Sequence, residues 1–232
     1  MNPGISSTTI ADILPDVGLI LQNRTDIGSY KPERFARKAI EELTLAYPFE
    51  ELRTKGPTQP LQVNNYSYPV TFFLNSGDDY SQVQGMHVFI TPIVSTPMKY
   101  DTPTAIQSIL FIPGGLPSKW TRFGTNIWIG TQPQYPYPAY MLYQKRHPFT
   151  TDILSSVIMM PPEWFEIVQY ATAYRLAAGP LRWTDQAATL RTMLYGDPSD
   201  PSEPGLIKRR WYQQQMDERL HSRRINVVTS RY

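Results

Sequence analysis

The chain has 232 residues, a formal net charge of +2 and no cysteine. Its length allows one domain with a large insertion or two small domains, and it can bury a core without covalent or metal cross-links. The lack of cysteine excludes disulfides, a thiolate nucleophile and a zinc–thiolate site, and it favours folding in the cytosol. No run approaches the length of a membrane span and the first residues lack a signal-peptide pattern, so we expect a soluble protein.

The N-terminal part contains signals for two helices. Thr8 or Thr9 can cap a first short helix, which Pro15 either kinks or begins. Pro32 opens a second helix that ends before Pro48, and its apolar residues share one arc opposite the charged ones. This pattern is typical of helices that pack on a core through one face.

The composition changes between residues 57 and 160, where Pro, Gly, Thr, Ser, Tyr and Asn dominate and charges are few. Short β-branched or aromatic runs separated by turn residues predict strands. The predicted strands cover residues 68–74, 86–95, 106–112, 126–132, 141–144 and 153–160. Strands of this number and spacing suit an antiparallel β-sandwich or a small barrel.

Residues 159–178 are the stretch around which the rest is expected to fold. Pro162 suits the first turn of a helix, and the helix that follows is apolar on nearly all sides, so it must be covered nearly all round. We expect Trp164, Tyr170 and Tyr174 to be core residues. Arg175 projects near the middle of the apolar face, so it either pairs with a carboxylate or carbonyl cluster or extends its charge to water at the helix end.

Two further helices are predicted after residue 178. Thr184 can cap a third amphipathic helix, residues 196–205 form a polar loop, and the last helix runs from Leu206 to about Arg224. Two apolar patches lie on roughly opposite sides of that last helix at helical spacing. One patch holds Ile207 and Trp211, and the other holds Tyr212, Met216 and Leu220. One of the two patches could pack on the chain's own bundle and the other on a neighbouring subunit.

These elements together predict an α+β protein. Residues 1–56 and 161–224 form a helical bundle, residues 57–160 form an inserted β-sandwich or small barrel, and residues 225–232 form an extended C-terminal tail. The tail contains a strand-like apolar run but cannot form a core. We therefore expect it to add to an edge strand or lie in a groove of a partner.

No arrangement of residues predicts catalysis. The nucleotide-binding, hydrolase and metalloprotease motifs are absent, and the three histidines lie far apart in different elements. Asp197, Asp200 and Glu203 are interrupted by prolines that break the spacing of a calcium loop. We predict a protein that is not an enzyme, with no catalytic residues, no cofactor and no metal site.

The C-terminal segment from Leu206 carries most of the charge asymmetry. Its cations are Lys208, Arg209, Arg210, Arg219, Arg223, Arg224 and Arg231, against Asp217 and Glu218. The overall net charge is too small to imply nucleic-acid binding by itself. The segment could touch nucleic acid without sequence specificity, dock on an acidic protein, or be an ordinary solvated helix.

One resemblance adds to this reading. The run Pro161-Pro162-Glu163-Trp164, followed by Tyr170, Ala173 and Arg175-Leu176-Ala177, resembles a helix of the head-to-tail adaptor (neck) proteins of tailed bacteriophages. The N-terminal part is similar too, with two helices, a link containing Arg24-Thr25-Asp26, and Pro48-Phe49-Glu50-Glu51-Leu52. These are core positions, so they support the fold and the family rather than marking a binding site.

The resemblance implies a structural virion protein. In that family a helical bundle carrying a β insertion assembles into a ring under the portal, lengthens the DNA channel and gives the tail an attachment surface. It implies a homo-oligomer, expected to be a dodecamer, located in the virion neck after assembly in the host cytoplasm. The implied partners are the portal protein, a downstream tail or nozzle protein, and packaged double-stranded DNA that passes through the lumen without sequence recognition; no membrane is involved.

The resemblance also suggests roles for the C-terminal residues. The expected portal-docking tail comprises Arg223, Arg224, Ile225, Val227, Val228, Arg231 and Tyr232. The expected subunit contacts or channel lining comprise Lys208, Arg209, Arg210, Tyr212, Met216 and Leu220. The main alternative is another neck or tail component, such as a stopper, gatekeeper or tail-tube protein whose β domain assembles. A stand-alone nucleic-acid-binding module is the third possibility, and an enzyme is the last.

Overall fold

A computed structural model describes residues 8–109, 115–200 and 202–229, with side chains given as far as residue 217 in the last range. The described chain combines helices with two β-sheets, which confirms the α+β prediction. It divides into two compact units. The helical unit comprises residues 1–51 and 147–232, and the β unit comprises residues 52–146.

Six α-helices lie within the described ranges. They are α1 Ile10–Ile20, α2 Pro32–Ala46, α3 Pro103–Gln107, α4 Phe165–Ala178, α5 Thr184–Tyr195 and α6 Leu206–Thr229. Only the short α3 belongs to the β unit. The strands are β1 Arg53–Lys55, β2 Gln59–Pro60, β3 Ser67–Pro69, β4 Tyr80–Phe89, β5 Ser95–Pro97, β6 Lys99–Tyr100, β7 Lys119–Phe123, β8 Asn126–Gly130 and β9 Pro138–Lys145.

Local signals account for where the first helices begin. The backbone N–H and Oγ1 of Thr9 donate to Oδ2 of Asp12 at 2.7 and 2.8 Å, which ties the start of α1 together. Pro15 lies inside α1, so the alternative that it begins the helix is wrong. α2 begins at Pro32 as predicted, whereas Thr184 is the first residue of α5 rather than its cap.

The centre of the helical unit is α4, which packs against α1, α2 and α5. Trp164 is only 1% exposed and Ile167, Val168 and Ala171 are buried with it. Tyr170 and Tyr174 are partly buried at the edge of this core, so the expected core role fits Trp164 more fully than the two tyrosines. Burial on nearly every side agrees with the apolar sequence of the helix.

Two sheets share one core in the β unit. The first has the order β1-β9-β4-β5, with β2 also paired to β9, and all its pairs are antiparallel. The second has the order β3-β8-β7-β6, in which β6 and β7 are parallel. Buried side chains from both sheets, such as Met86, Met141, Trp120 and Ile127, belong to one cluster. The described strands do not close into a barrel, so of the two predicted architectures only the sandwich suits them.

Two predicted strands are wrong as a whole, and the one predicted at residues 68–74 is mostly wrong, because β3 ends at Pro69 and Val70–Phe73 form a 3-10 helix. Residues 103–107 form α3, because Thr102 caps it through a 3.3 Å bond from Ala105 N–H and Pro103 fits the first turn; residues 110–112 lie outside the described ranges. Residues 153–155 form a 3-10 turn rather than a strand. The run that follows supplies Ile158 and Met160 to the helical core, so the predicted boundary at residue 160 lies within the helical unit.

The predicted extended tail is also wrong for residues 225–229. Helix α6 continues to Thr229, and no Pro or Gly interrupts the sequence from Leu206 onward. The β-branched residues lower helix propensity by only tenths of a kcal/mol each, roughly 0.5, which does not stop a helix already formed. Arg231 and Tyr232 lie outside the described residues.

Candidate interaction surface on the C-terminal helix

A short closed loop positions the start of α6. An isolated antiparallel bridge joins Gly196 and Pro204, so the loop leaves α5 and returns beside it. A Cβ added to Gly205 would lie 2.3 Å from the backbone nitrogen of Gly196 and 2.4 Å from the carbonyl oxygen of Leu194. Only glycine fits this close approach of two backbone segments, and α6 begins at the next residue.

One side of α6 packs on the core of its own unit. Ile207 is buried, and the Trp211 ring lies 5.3 Å from the ring of Tyr47, which in turn lies 5.4 Å from that of Trp164. The indole Nε1 of Trp164 donates a 3.1 Å hydrogen bond to Oε1 of Gln214. The Ile207 and Trp211 patch therefore packs on the chain's own bundle, which was the first of the two predicted contacts.

The opposite side of α6 is exposed. Tyr212 is 51% exposed and Met216 is 59% exposed, and Lys208 and Arg209 beside them are exposed as well. The Lys208 ammonium lies 5.8 Å from the centre of the Tyr212 ring, and Nε of Arg209 donates to the carbonyl oxygen of Pro204. We call Lys208, Arg209, Tyr212 and Met216 the basic face. It has apolar side chains between cations, as the sequence predicted; the side chain of Leu220 is not described.

A cleft of about 660 Å³ lies along another side of α6. Its lining residues are Glu50, Glu51, Pro161, Glu163, Trp164, Arg210, Gln213, Gln214 and Asp217. We call this the acidic cleft, because it contains four carboxylates and one guanidinium. Among the described residues none of these carboxylates forms an ion pair, and Arg210 donates instead to Oε1 of Gln213 at 3.3 Å.

The electrostatics of the acidic cleft favour a cation. Burial raises the pKa of the Glu51 carboxyl, and the nearby carboxylates of Glu50 and Glu163 raise it further. Oε2 of Glu51 is buried and has no hydrogen-bond partner among the described atoms. A positively charged group that entered the cleft would therefore reduce repulsion between like charges.

The charge of Arg175 is paired inside the helical unit, although its Nε is buried without a hydrogen-bond partner among the described atoms. Its Nη2 donates to Oε2 of Glu42 on α2, and the Arg175 side chain is only 18% exposed. Of the alternatives that the sequence left open for Arg175, the structure shows the carboxylate partner, and the pair joins α4 to α2, which pack against each other. A small cavity of about 130 Å³ lies beside it, with Tyr47, Tyr195 and Ile207 in its lining.

The sequence predicted no site from the three histidines or from the acidic residues of the 196–205 loop. His87 is in the β unit, His147 is buried in the helical unit, and the side chain of His221 is not described. Oδ1 of Asp197 accepts from the hydroxyl and the backbone N–H of Ser199, and Oδ1 of Asp200 accepts from the same two groups of Ser202. These bonds make two local turns, and the hydroxyl bond first and the backbone bond second lower the pKa of each carboxyl.

No cluster of three or more possible metal ligands occurs among the described residues. None of the helices in the same ranges combines the length and the apolar composition needed to cross a bilayer. The portal-docking residues predicted from the sequence stay untested by side-chain geometry. Their backbone is helical from Arg223 to Val228, with the last two predicted residues outside the described chain.

The acidic cleft was missed in the sequence, although a signal was present. Phe49 and Trp164 were both assigned to the fold, and their rings meet edge to face at 4.9 Å. Because Glu50 follows Phe49 and Glu163 precedes Trp164, that contact brings the two carboxylates to one cleft. The position of the acidic cleft therefore follows from the contact between Phe49 and Trp164.

No family model and no curated protein sequence matches this chain. The motif residues and the geometry of α6 are therefore the basis for any functional assignment.

Proposed function

We propose that the protein is a structural, non-enzymatic virion component, a head-to-tail adaptor that forms a ring beneath the portal of a tailed bacteriophage. The observation that carries the proposal is the two-sided character of α6. One side packs through Trp211 on Tyr47 and through Gln214 on Trp164 of the adaptor-like motif, while Tyr212 and Met216 on another side are exposed. A helix fixed in this way presents an apolar surface that suits a second protein chain.

In this proposal the helical unit builds the ring and the β unit supplies contacts for tail components. The turn between β4 and β5 exposes Ile90, Ile93 and Val94, with Ile93 at 90%. On the second sheet, the partly exposed rings of Phe123 and Trp128 stack at 4.3 Å. Exposed apolar and aromatic groups of this kind are enriched in protein contact surfaces.

The proposed portal contact is the C-terminal part of α6. The sequence left open whether this segment adds to an edge strand or lies in a groove of a partner, and the helical backbone to Thr229 favours a helix lying in a groove. The arginines at 223 and 224 would meet acidic groups there. Each exposed ion pair contributes roughly 0 to 1 kcal/mol, but a ring repeats the contact in every subunit. The combined affinity of the ring for the portal is therefore much higher than that of one contact.

A truncation ending at Ser222 tests this assignment. The truncated protein keeps Ile207, Trp211 and Gln214, so its melting temperature should stay almost unchanged while its capture by immobilised portal rings weakens. A matched full-length variant, Arg34→Glu/Lys38→Glu, changes exposed cations on α2 and should bind normally. Unaltered portal binding by the truncated protein would contradict the docking role, and a large loss of stability would assign the segment to the fold.

A further inference from the structure

We infer that copies of this protein associate head to tail, with the basic face of one copy against the acidic cleft of the next. The inference rests on the proposed function in expecting a homo-oligomeric ring, and it names the two surfaces that meet. Both surfaces lie in the helical unit and consist of described residues.

The two surfaces lie on different sides of the same helix. Arg210 and Asp217 follow a spacing of seven residues, or nearly two turns, and both line the acidic cleft. Lys208, Tyr212 and Met216 follow a spacing of four and are offset from them by about a third of a turn. A single copy can therefore use both surfaces at once, each with a different neighbour.

The surfaces are complementary in charge and in chemical type. The basic face offers an ammonium, a guanidinium, an exposed phenol ring and a flexible thioether. The acidic cleft offers four carboxylates that form no ion pair among the described residues, with the Trp164 ring in its lining. Aromatic, Met and Arg side chains are enriched at protein interfaces, and opposite charges across them fix the partner and the register.

Charge favours contact between a basic face and an acidic cleft over contact between two identical surfaces. Contact between two basic faces would oppose like charges, and so would contact between two acidic clefts. A contact between two different surfaces, repeated around an axis, generates a ring when the rotation closes. The structure thus provides each copy with one surface for each neighbour.

Charge reversal tests the pairing. Lys208→Glu/Arg209→Glu reverses the basic face, and Glu50→Lys/Glu163→Lys reverses the acidic cleft. Each variant alone should need about tenfold or more protein to assemble than the wild type, because its two surfaces then repel. An equimolar mixture should assemble again, since each variant's surfaces match those of the other. The control Arg34→Glu/Lys38→Glu carries the same charge change as the first variant on α2 and should assemble normally.

Assembly is measured by analytical ultracentrifugation, with circular dichroism to check that each variant is folded. Recovery in the mixture separates repulsion from misfolding, since a misfolded variant cannot be rescued. Normal assembly of either reversed variant, or a mixture that stays dissociated, would overturn the inference. A wild type that stays monomeric at millimolar concentration would overturn it too.

The absence of native cysteine allows a second readout. A Lys208→Cys/Glu163→Cys variant treated with a short bis-maleimide should give a ladder of multimers, and each single variant should give only background products. A product that stops at the dimer would contradict head-to-tail repetition. If the mixture and the ladder behave as expected but the assembled protein does not bind portal rings, the inference stands and the adaptor proposal fails.

Discussion

Nε1 of Trp164 and Oε1 of Gln214 are joined by a 3.1 Å hydrogen bond, which links the adaptor-like motif before α4 to the third turn of α6. The donor belongs to a side chain that is only 1% exposed, so water cannot readily replace the acceptor. This bond and the tilted ring contact between Trp211 and Tyr47 hold α6 in place. They determine which sides of the helix remain for other chains.

Gln214→Leu should lower the free energy of unfolding by about 1 to 3 kcal/mol, because it leaves the indole N–H of Trp164 without that acceptor. Gln213→Leu, the same change at the preceding exposed position, should stay within about 0.5 kcal/mol of the wild type. Urea unfolding followed by circular dichroism measures both. Equal stability of the two variants would show that the hydrogen bond does not stabilise the fold.

Trp164→Ala should lower the free energy of unfolding by about 3 to 5 kcal/mol, since it leaves a large cavity among Tyr47, Phe49 and the residues of α4. Thermal unfolding of the two proteins side by side provides the measurement. A variant that melts like the wild type and loses only binding would show that Trp164 belongs to a contact surface rather than to the core.

Glu42→Ala should cost about 1 to 2 kcal/mol, because it leaves the mostly buried Arg175 guanidinium without its carboxylate; exposure of Glu42 itself keeps the loss below that of a fully buried pair. Glu41→Ala removes an exposed pair with Arg37 on the same helix and should cost about 0.3 to 0.5 kcal/mol. Denaturant midpoints at low and high salt compare them. If Glu41→Ala lowered the free energy of unfolding more than Glu42→Ala, the Arg175–Glu42 pair would not stabilise the contact between α2 and α4.

Stability should fall in mild acid because of His147. The residue is 6% exposed, its Nε2 accepts from the backbone N–H of Met159 at 3.1 Å, and burial lowers its pKa from 6.5 to about 4. The unfolded chain therefore binds a proton that the folded chain excludes between these two pH values. The stabilising contribution is complete above about pH 6.5 and is lost as the pH falls toward about 4, by up to about 3 kcal/mol.

His147→Gln isolates this effect, because its amide oxygen can still accept from Met159 but cannot titrate. The free energy of unfolding measured between pH 7 and pH 4.5 should slope less in the variant than in the wild type. Carboxylates with lowered pKa, such as Asp78 and Asp101, add their own loss at lower pH in both proteins. Parallel slopes would mean that His147 is not the titrating group.

The elements predicted well from the sequence are those with local signals. These signals lie within a few residues of the structure that they determine, as for the Thr9 cap, Pro32 at the first turn and the apolar arc of α2. β7 was missed because charged residues surround its one buried aromatic, Trp120, and interrupt the expected alternation. Residues 225–229 have the composition of a strand, but they continue the preceding helix because no Pro or Gly ends it.

The sequence predicted the basic face but not the acidic cleft, because only the basic face lies within one segment of the chain. Exposure of Tyr212 and Met216 follows from helical spacing within one segment. The acidic cleft instead needs Glu50, Glu163 and Asp217, which come from three segments that tertiary packing brings together. In the same way the spacing required a partner for Arg175 but could not select Glu42, which lies on another helix.

Electron microscopy of the purified protein mixed with purified portal rings tests the proposed function most directly. If the protein is an adaptor, we expect closed rings of it stacked coaxially on one end of the portal, with the channel continuous through both. Portal rings that bind none of this protein, while the protein is folded and stays monomeric or forms filaments, would contradict the proposed function.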